Sequence, residues 1–243
     1  MTDSPPWKRR LAANLAFQRE RIGRALESAG RLGDEVRLVA VTKHVPIPVA
    51  RGLIELGVQD LGENRVDSLV QKAQALEDLH PRWHFIGHLQ RNKVQRVLPH
   101  FSALHSVDSS ELLNVLAKAG AAPTLELYLQ VKWTDEARKT GLHPREVPAV
   151  AARADELGLS IAGLMSMGVH GDPEETARIF RSTEALAREL EAARAKGPLR
   201  RSMGMSGDLE MAIEHGADVV RIGTALFEGI DLQAFEPEEA DLR

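Results

Sequence analysis

The sequence predicts an α/β fold: a single (β/α)8 TIM barrel over residues 1–243, with an extra N-terminal helix and no second β domain. Three observations carry this expectation. Short apolar runs alternate strictly with helical patterns, eight such units can be counted, and 243 residues is the length of one such barrel. A doubly wound open sheet is the structural competitor.

The elements follow in order. Residues 7–30 place Leu11, Leu15, Ile22 and Leu26 on one helical stripe, and Gly30 and Gly33 close it. Residues 1–33 are therefore expected to pack on the barrel as an added helix. Val36–Val41 is apolar and rich in β-branched residues, as a strand buried on both faces should be. It ends at Thr42-Lys43, and Pro46 and Pro48 open a helix carrying Val49, Leu53 and Leu56. Further strands are expected near Val58–Leu61, Trp83–Ile86, Ala103–Val107, Leu125–Val131, Ile161–Met165, Ser202–Met205 and Val219–Ile222. Helices are expected near 64–79, 91–98, 109–119, 144–157, 173–196, 207–215 and, shorter, 225–229. The helix from 173 has the plainest start signal, with Asp172 as N-cap, Pro173 at N1 and Glu175 at N3. Residues 234–243 read as a solvated acidic tail.

Composition narrows the function. Hydrophobic residues make up 43% and charged residues 27%, enough for a large core and unlike a disordered chain. A formal net charge of −4 gives no global attraction to nucleic acid or anionic lipid. No apolar run nears the roughly 20 residues that cross a bilayer, and the first ten residues carry no apolar signal segment. With no cysteine, disulfides, thiolate metal sites and cysteine nucleophiles are excluded. The nine histidines show no metal-ligand spacing, and Arg91, Lys93 and Arg96 read as a solvated basic face. A cytoplasmic monomer that binds neither membrane nor nucleic acid is expected.

In such a barrel the chemistry sits at the C-terminal ends of the strands. Those positions hold Lys43, Glu63-Asn64, His88, Ser106 and Asp108, Lys132, Met165-Ser166, Ser206 and Gly223-Thr224. Lys43, ending an apolar strand, would be partly desolvated, which favours a neutral amine able to attack an aldehyde. The alternative is a lysine that snorkels to solvent. Gly223, Thr224 and Ser206 lie after the last two strands, where this fold usually cradles phosphate. Equally, Ser206 could be a plain N-cap and Gly223 a plain turn. Arg221 lies two residues before Gly223 on the same side of its strand and needs an acceptor, either a cofactor ring nitrogen or a neighbouring acid. His84, inside the third strand, reads first as a hydrogen-bonded core residue.

A resemblance then adds to these readings. Val39-Ala40-Val41-Thr42-Lys43 resembles the cofactor-lysine segment of the pyridoxal phosphate homeostasis proteins, the alanine racemase N-terminal-domain-like family. The similarity continues through Gly62-Glu63-Asn64, Trp83-His84-Phe85-Ile86-Gly87-His88-Leu89-Gln90, His105-Ser106-Val107-Asp108 and Gly163-Leu164-Met165. It closes with Ser202-Met203-Gly204-Met205-Ser206 and Arg221-Ile222-Gly223-Thr224-Ala225. The resemblance implies a fold-type III barrel that binds pyridoxal 5′-phosphate (PLP) as a Schiff base on Lys43. It implies that Ser206, Gly223 and Thr224 hold the phosphate, that Arg221 faces the pyridine nitrogen, and that Asn64 lies near the ring. Met165 and His84 would form its walls. Three positions depart from the family pattern: Lys132 stands where an asparagine is usual, His44-Val45 replaces Thr-Lys, and Glu228 interrupts a Phe-Gly pair.

The same resemblance implies a carrier that supports PLP and vitamin B6 homeostasis, handing the cofactor to PLP-requiring apoenzymes. The enzyme-class alternative is a PLP-dependent amino-acid racemase or lyase. Against it, the sole tyrosine, Tyr128, lies inside a strand, so a second base is not evident. An arginine facing the ring nitrogen would also weaken the ring as an electron sink. A third reading is a phosphosugar-binding barrel without PLP.

Overall fold

The computed structural model describes residues 4–134 and 140–235. Eight parallel strands close into a barrel in sequence order. They are β1 (Arg37–Val41), β2 (Asp60–Glu63), β3 (Arg82–Phe85), β4 (Ala103–Val107), β5 (Glu126–Gln130), β6 (Ile161–Met165), β7 (Arg200–Ser202) and β8 (Val219–Ile222). The barrel reading therefore holds and the open sheet does not. Closure is made by β1 against β8, with Val39 opposite Arg221 and Ala40 opposite Ile222.

An added helix, α1 (Pro6–Ser28), buries Leu11, Leu15, Ile22 and Ala25. Its end is a Schellman motif: Gly30 takes φ +68° and the Arg31 amide returns to the Leu26 carbonyl at 2.8 Å. Asn14 Nδ2 ties the helix to the segment after β8, donating to the carbonyls of Leu226 and Glu228. Outer helices follow the strands: α2 (Ile47–Glu55), α3 (Val66–Ala75), α4 (Val94–Val97), α5 (Ser110–Lys118), α6 (Val147–Glu156), α7 (Pro173–Arg194), α8 (Leu209–Glu214) and α9 (Thr224–Phe227). The start of α7 is as read, with the Asp172 carboxylate accepting from the Glu175 amide at 2.9 Å.

Several boundaries differ from the sequence reading. The second strand begins two residues late because Val58 finishes α2 instead: Gly57 turns at φ +84° and the Val58 amide caps the Leu53 carbonyl. Glu63 is the last residue of β2, at the strand end where the sequence put it, and it is fully buried. The seventh strand is Arg200–Ser202, earlier than Ser202–Met205, because Gly204 bends the chain at φ +94°. The pattern near 91–98 is one short helical turn flanked by 3-10 turns, Arg91–Lys93 and Leu98–His100. The helix after β7 starts at Leu209, with Asp208 rather than Ser206 in the N-cap position. Among the described residues no helix is long and apolar enough to cross a membrane. The acidic tail from 236 lies outside the described residues.

Candidate functional site at the carboxyl-terminal mouth

The β1–β8 seam places the amine beside the glycine turn. Val41, Lys43, Val45, Gly223, Thr224, Ala225 and Phe227 are among the residues around one cavity of about 550 Å3. That size suits a small cofactor. After Val41 the chain turns sharply, the Val45 amide reaching the Thr42 carbonyl at 2.8 Å with His44 at φ +68°. A histidine in the left-handed region is uncommon, and such strain collects at functional turns. Lys43 is exposed at the tip of this turn, so the expected partial desolvation is not found. The turn is anchored from behind. Thr42 is fully buried, and its hydroxyl donates to Glu63 Oε1 at 2.7 Å. Lys72 Nζ lies 2.6 Å from both Glu63 Oε1 and the Thr42 carbonyl.

Arg221 lies beneath the seam, only 5% exposed. Its Nη1 donates to Ser202 Oγ at 2.6 Å and its Nη2 to the Ser166 carbonyl at 3.0 Å. Neither acceptor is charged, so the acid partner considered from sequence is not in contact. Burial pulls its pKa down to about 10, and the nearby charge of Asp208 works in the opposite direction. The guanidinium therefore stays cationic at neutral pH, with N–H donors beyond these two bonds.

The remaining sequence candidates separate. Asn64 follows β2 and is half-buried, its carbonyl packed so closely on Gly87 that a Cβ there would lie 2.2 Å from it. Met165 joins Val39, Ala103, Tyr128 and Val219 in a small cluster inside the barrel. Ser206 sits in the turn before α8, its carbonyl accepting from Arg21 Nη2 at 3.2 Å, and it does not line the Lys43 cavity. His84 lies in the barrel core, 1% exposed. Both its ring nitrogens are engaged, with Asp60 Oδ1 at 2.9 Å and His105 Nε2 at 2.9 Å. His105 in turn meets Ser202 Oγ at 2.8 Å. Sequence reasoning missed Asp60, Ser166 and Ser202 as partners of this group. The only available signal was the motif membership of His105 and Ser202.

A larger cavity, about 1050 Å3, opens at the opposite mouth. Three of its guanidinium groups are committed to carboxylates: Arg37 and Arg200 to Glu126 at 2.7 Å each, and Arg82 to Asp60 at 2.6 Å. In this fold the amino-terminal face serves stability and the carboxyl-terminal mouth serves chemistry. The smaller cavity is thus the functional candidate.

Comparison with known proteins agrees with this fold. The family model described as "Alanine racemase, N-terminal domain" matches residues 18–230. The pyridoxal phosphate homeostasis protein of Pseudomonas aeruginosa is 40% identical over 229 residues, covering 92% of this chain and 97% of that protein. The protein of the same name from Aquifex aeolicus is 36% identical over 212 residues, covering 86% and 93%. Among solved structures, PipY of Synechococcus elongatus with PLP bound superposes with a TM-score of 0.78 at 33% identity, covering 89% of this chain and 99% of that one. By sequence and by fold, the chain belongs to the alanine racemase N-terminal-domain family, in the group of pyridoxal phosphate homeostasis proteins.

Proposed function

We propose that this protein binds pyridoxal 5′-phosphate reversibly on Lys43 and serves intracellular PLP (vitamin B6) homeostasis without catalytic turnover of its own. The observation that carries the reading is the β1–β8 seam, which sets an exposed amine, a glycine turn and Thr224 around one cavity, with the buried Arg221 two residues before that glycine on the same strand. This donor set fits the group. PLP would supply an aldehyde that condenses with the Lys43 amine and releases water. Gly223 and Thr224, with Ser206 from the neighbouring turn, would hold the phosphate, and Arg221 would face the ring nitrogen. Asn64 and Met165 would border the ring. The protein would act as a cytoplasmic monomer, and PLP-requiring apoenzymes would be its recipients.

The position of Tyr128 favours a carrier over a two-base racemase. Its ring is fully buried inside the barrel and stacked on His105 at 4.3 Å. Its hydroxyl donates to Glu126 Oε2 at 3.2 Å, near the amino-terminal mouth, and burial pushes the phenol well above its ordinary value. It is not poised to serve as a base at the rim.

The test is spectroscopic. Purified protein supplied with PLP should show a near-visible band that borohydride bleaches, with the reduced label on the Lys43 peptide by mass spectrometry. Lys43→Ala should lose the band at the same cofactor concentration. A label on another lysine, or none, would overturn the assignment. Turnover of a small amino acid at ordinary enzymatic rates would return the racemase or lyase reading.

A further inference from the structure

The inside of a (β/α)8 barrel is ordinarily filled by branched aliphatic side chains. Here a line of polar groups crosses it, from Arg221 through Ser202, His105 and His84 to Asp60, with successive contacts of 2.6, 2.8, 2.9 and 2.9 Å. Ser202 and His105 are fully buried, and His84 is 1% exposed. Their protons must therefore be placed within the line itself.

Only one assignment spends every proton. A guanidinium only donates, so Ser202 Oγ accepts from Arg221, and its own hydrogen has His105 Nδ1 as partner. His105 then carries its proton on Nε2 and gives it to His84 Nδ1. His84 likewise carries its proton on Nε2 and gives it to the Asp60 carboxylate. The reverse direction would need a charged His84 and would leave the Ser202 hydrogen buried without an acceptor. Burial holds His105 well below the ordinary imidazole value, in keeping with a neutral ring.

We infer that Asp60, His84, His105 and Ser202 form a positioning relay for Arg221: four hydrogen bonds of one polarity orient its guanidinium and carry to it the countercharge of a carboxylate at the opposite mouth. The inference rests on the proposed PLP site, where Arg221 faces the ring nitrogen. The four residues act through Arg221, so the electron demand at the ring is set partly from the far side of the barrel. The other charges facing the relay are Arg37 on β1 at 3.9 Å and Arg82 on β3 at 2.6 Å from Asp60, Glu126 on β5 beyond Arg37, and Asp208 after β7.

Two measurements test it. In the full chain labelled with 15N-histidine and free of cofactor, His84 and His105 should each show the neutral Nε2–H tautomer near neutral pH, and His105 should keep it down to about pH 5.5. A charged ring, or an Nδ1–H tautomer at either residue, overturns the relay. In PLP-loaded protein, Ser202→Ala and Asp60→Asn should each move the pH midpoint of the borohydride-sensitive band down by about half a unit or more. Both changes leave Arg221 more positive, which favours the unprotonated nitrogen of the Lys43 linkage. An unchanged midpoint in either variant overturns the inference while the binding reading stands. Absence of the band in the unmodified protein sinks the binding reading instead, and the histidine signals then still decide the relay.

Discussion

Glu63 shows what a single residue does for this site. It is fully buried, its Oε1 is held by Thr42 and Lys72, and its Oε2 is the one buried side-chain atom among the described residues without a hydrogen-bond partner. Thr42 is the residue that carries Lys43, so the ion pair is also the footing of the amine. Removing one member of a buried pair strands the other charge, at a cost of about 3–5 kcal/mol. Lys72→Met should therefore lower the unfolding free energy by about that amount, read from urea midpoints. Adding Glu63→Gln should recover part of the loss, because a neutral amide is cheaper to bury than an unpaired carboxylate. If the double variant is no more stable than Lys72→Met, the pair is not what holds the turn.

At the scale of elements, closure depends on how closely β6 and β7 approach. A Cβ on Gly163 would lie 1.9 Å from the Arg200 carbonyl, and that obstacle is backbone, not a movable side chain. Gly163→Ala should force the two strands apart, costing more than about 3 kcal/mol and lowering the melting temperature by about 6 °C or more. A change below about 2 °C would show that the seam yields freely. The same seam shows how far elements were legible. Strands β4, β6 and β8 lie where the apolar runs put them, because each run is bounded by turn residues and buried on both faces. The run Arg200-Arg201 hides β7, since its charges are neutralised by partners distant in sequence, Glu126 for Arg200 and Asp218 for Arg201. That Lys43, Gly223 and Thr224 would share a cavity was legible because all three follow strand ends at one mouth of the barrel. The line from Asp60 to Ser202 was not, because it joins β2, β3, β4 and β7 only once the barrel closes. Alternation places each of those residues inward but does not say which inward residues meet.

For the molecule as a whole, the two mouths divide the work, and pH should reveal the division. Burial would raise the Asp60 carboxyl, but hydrogen bonds from His84 and Arg82 and the charge of Arg82 outweigh it and hold the group well below the carboxylate range. Glu126 is held down in the same way, burial being outweighed by Arg37 and Arg200. For a carboxyl depressed in the folded state, the stabilisation is complete above the unfolded value, about 4, and is lost as pH falls through the folded value. Asp218 runs the other way: burial raises it, so its charge costs stability above its folded value, and acid relieves that cost. Two depressed groups at one mouth against one raised group predict a net loss of stability as pH drops below about 4. Asp60→Asn mimics the protonated group, so its deficit relative to the unmodified protein should be largest near neutrality and should shrink toward about pH 2. Denaturant midpoints measured across that range at about 0.15 M salt, where exposed pairs are screened, provide the check. A deficit that stays constant from neutrality to acid would mean that Asp60 contributes packing alone, and that the amino-terminal mouth is not held by its charge.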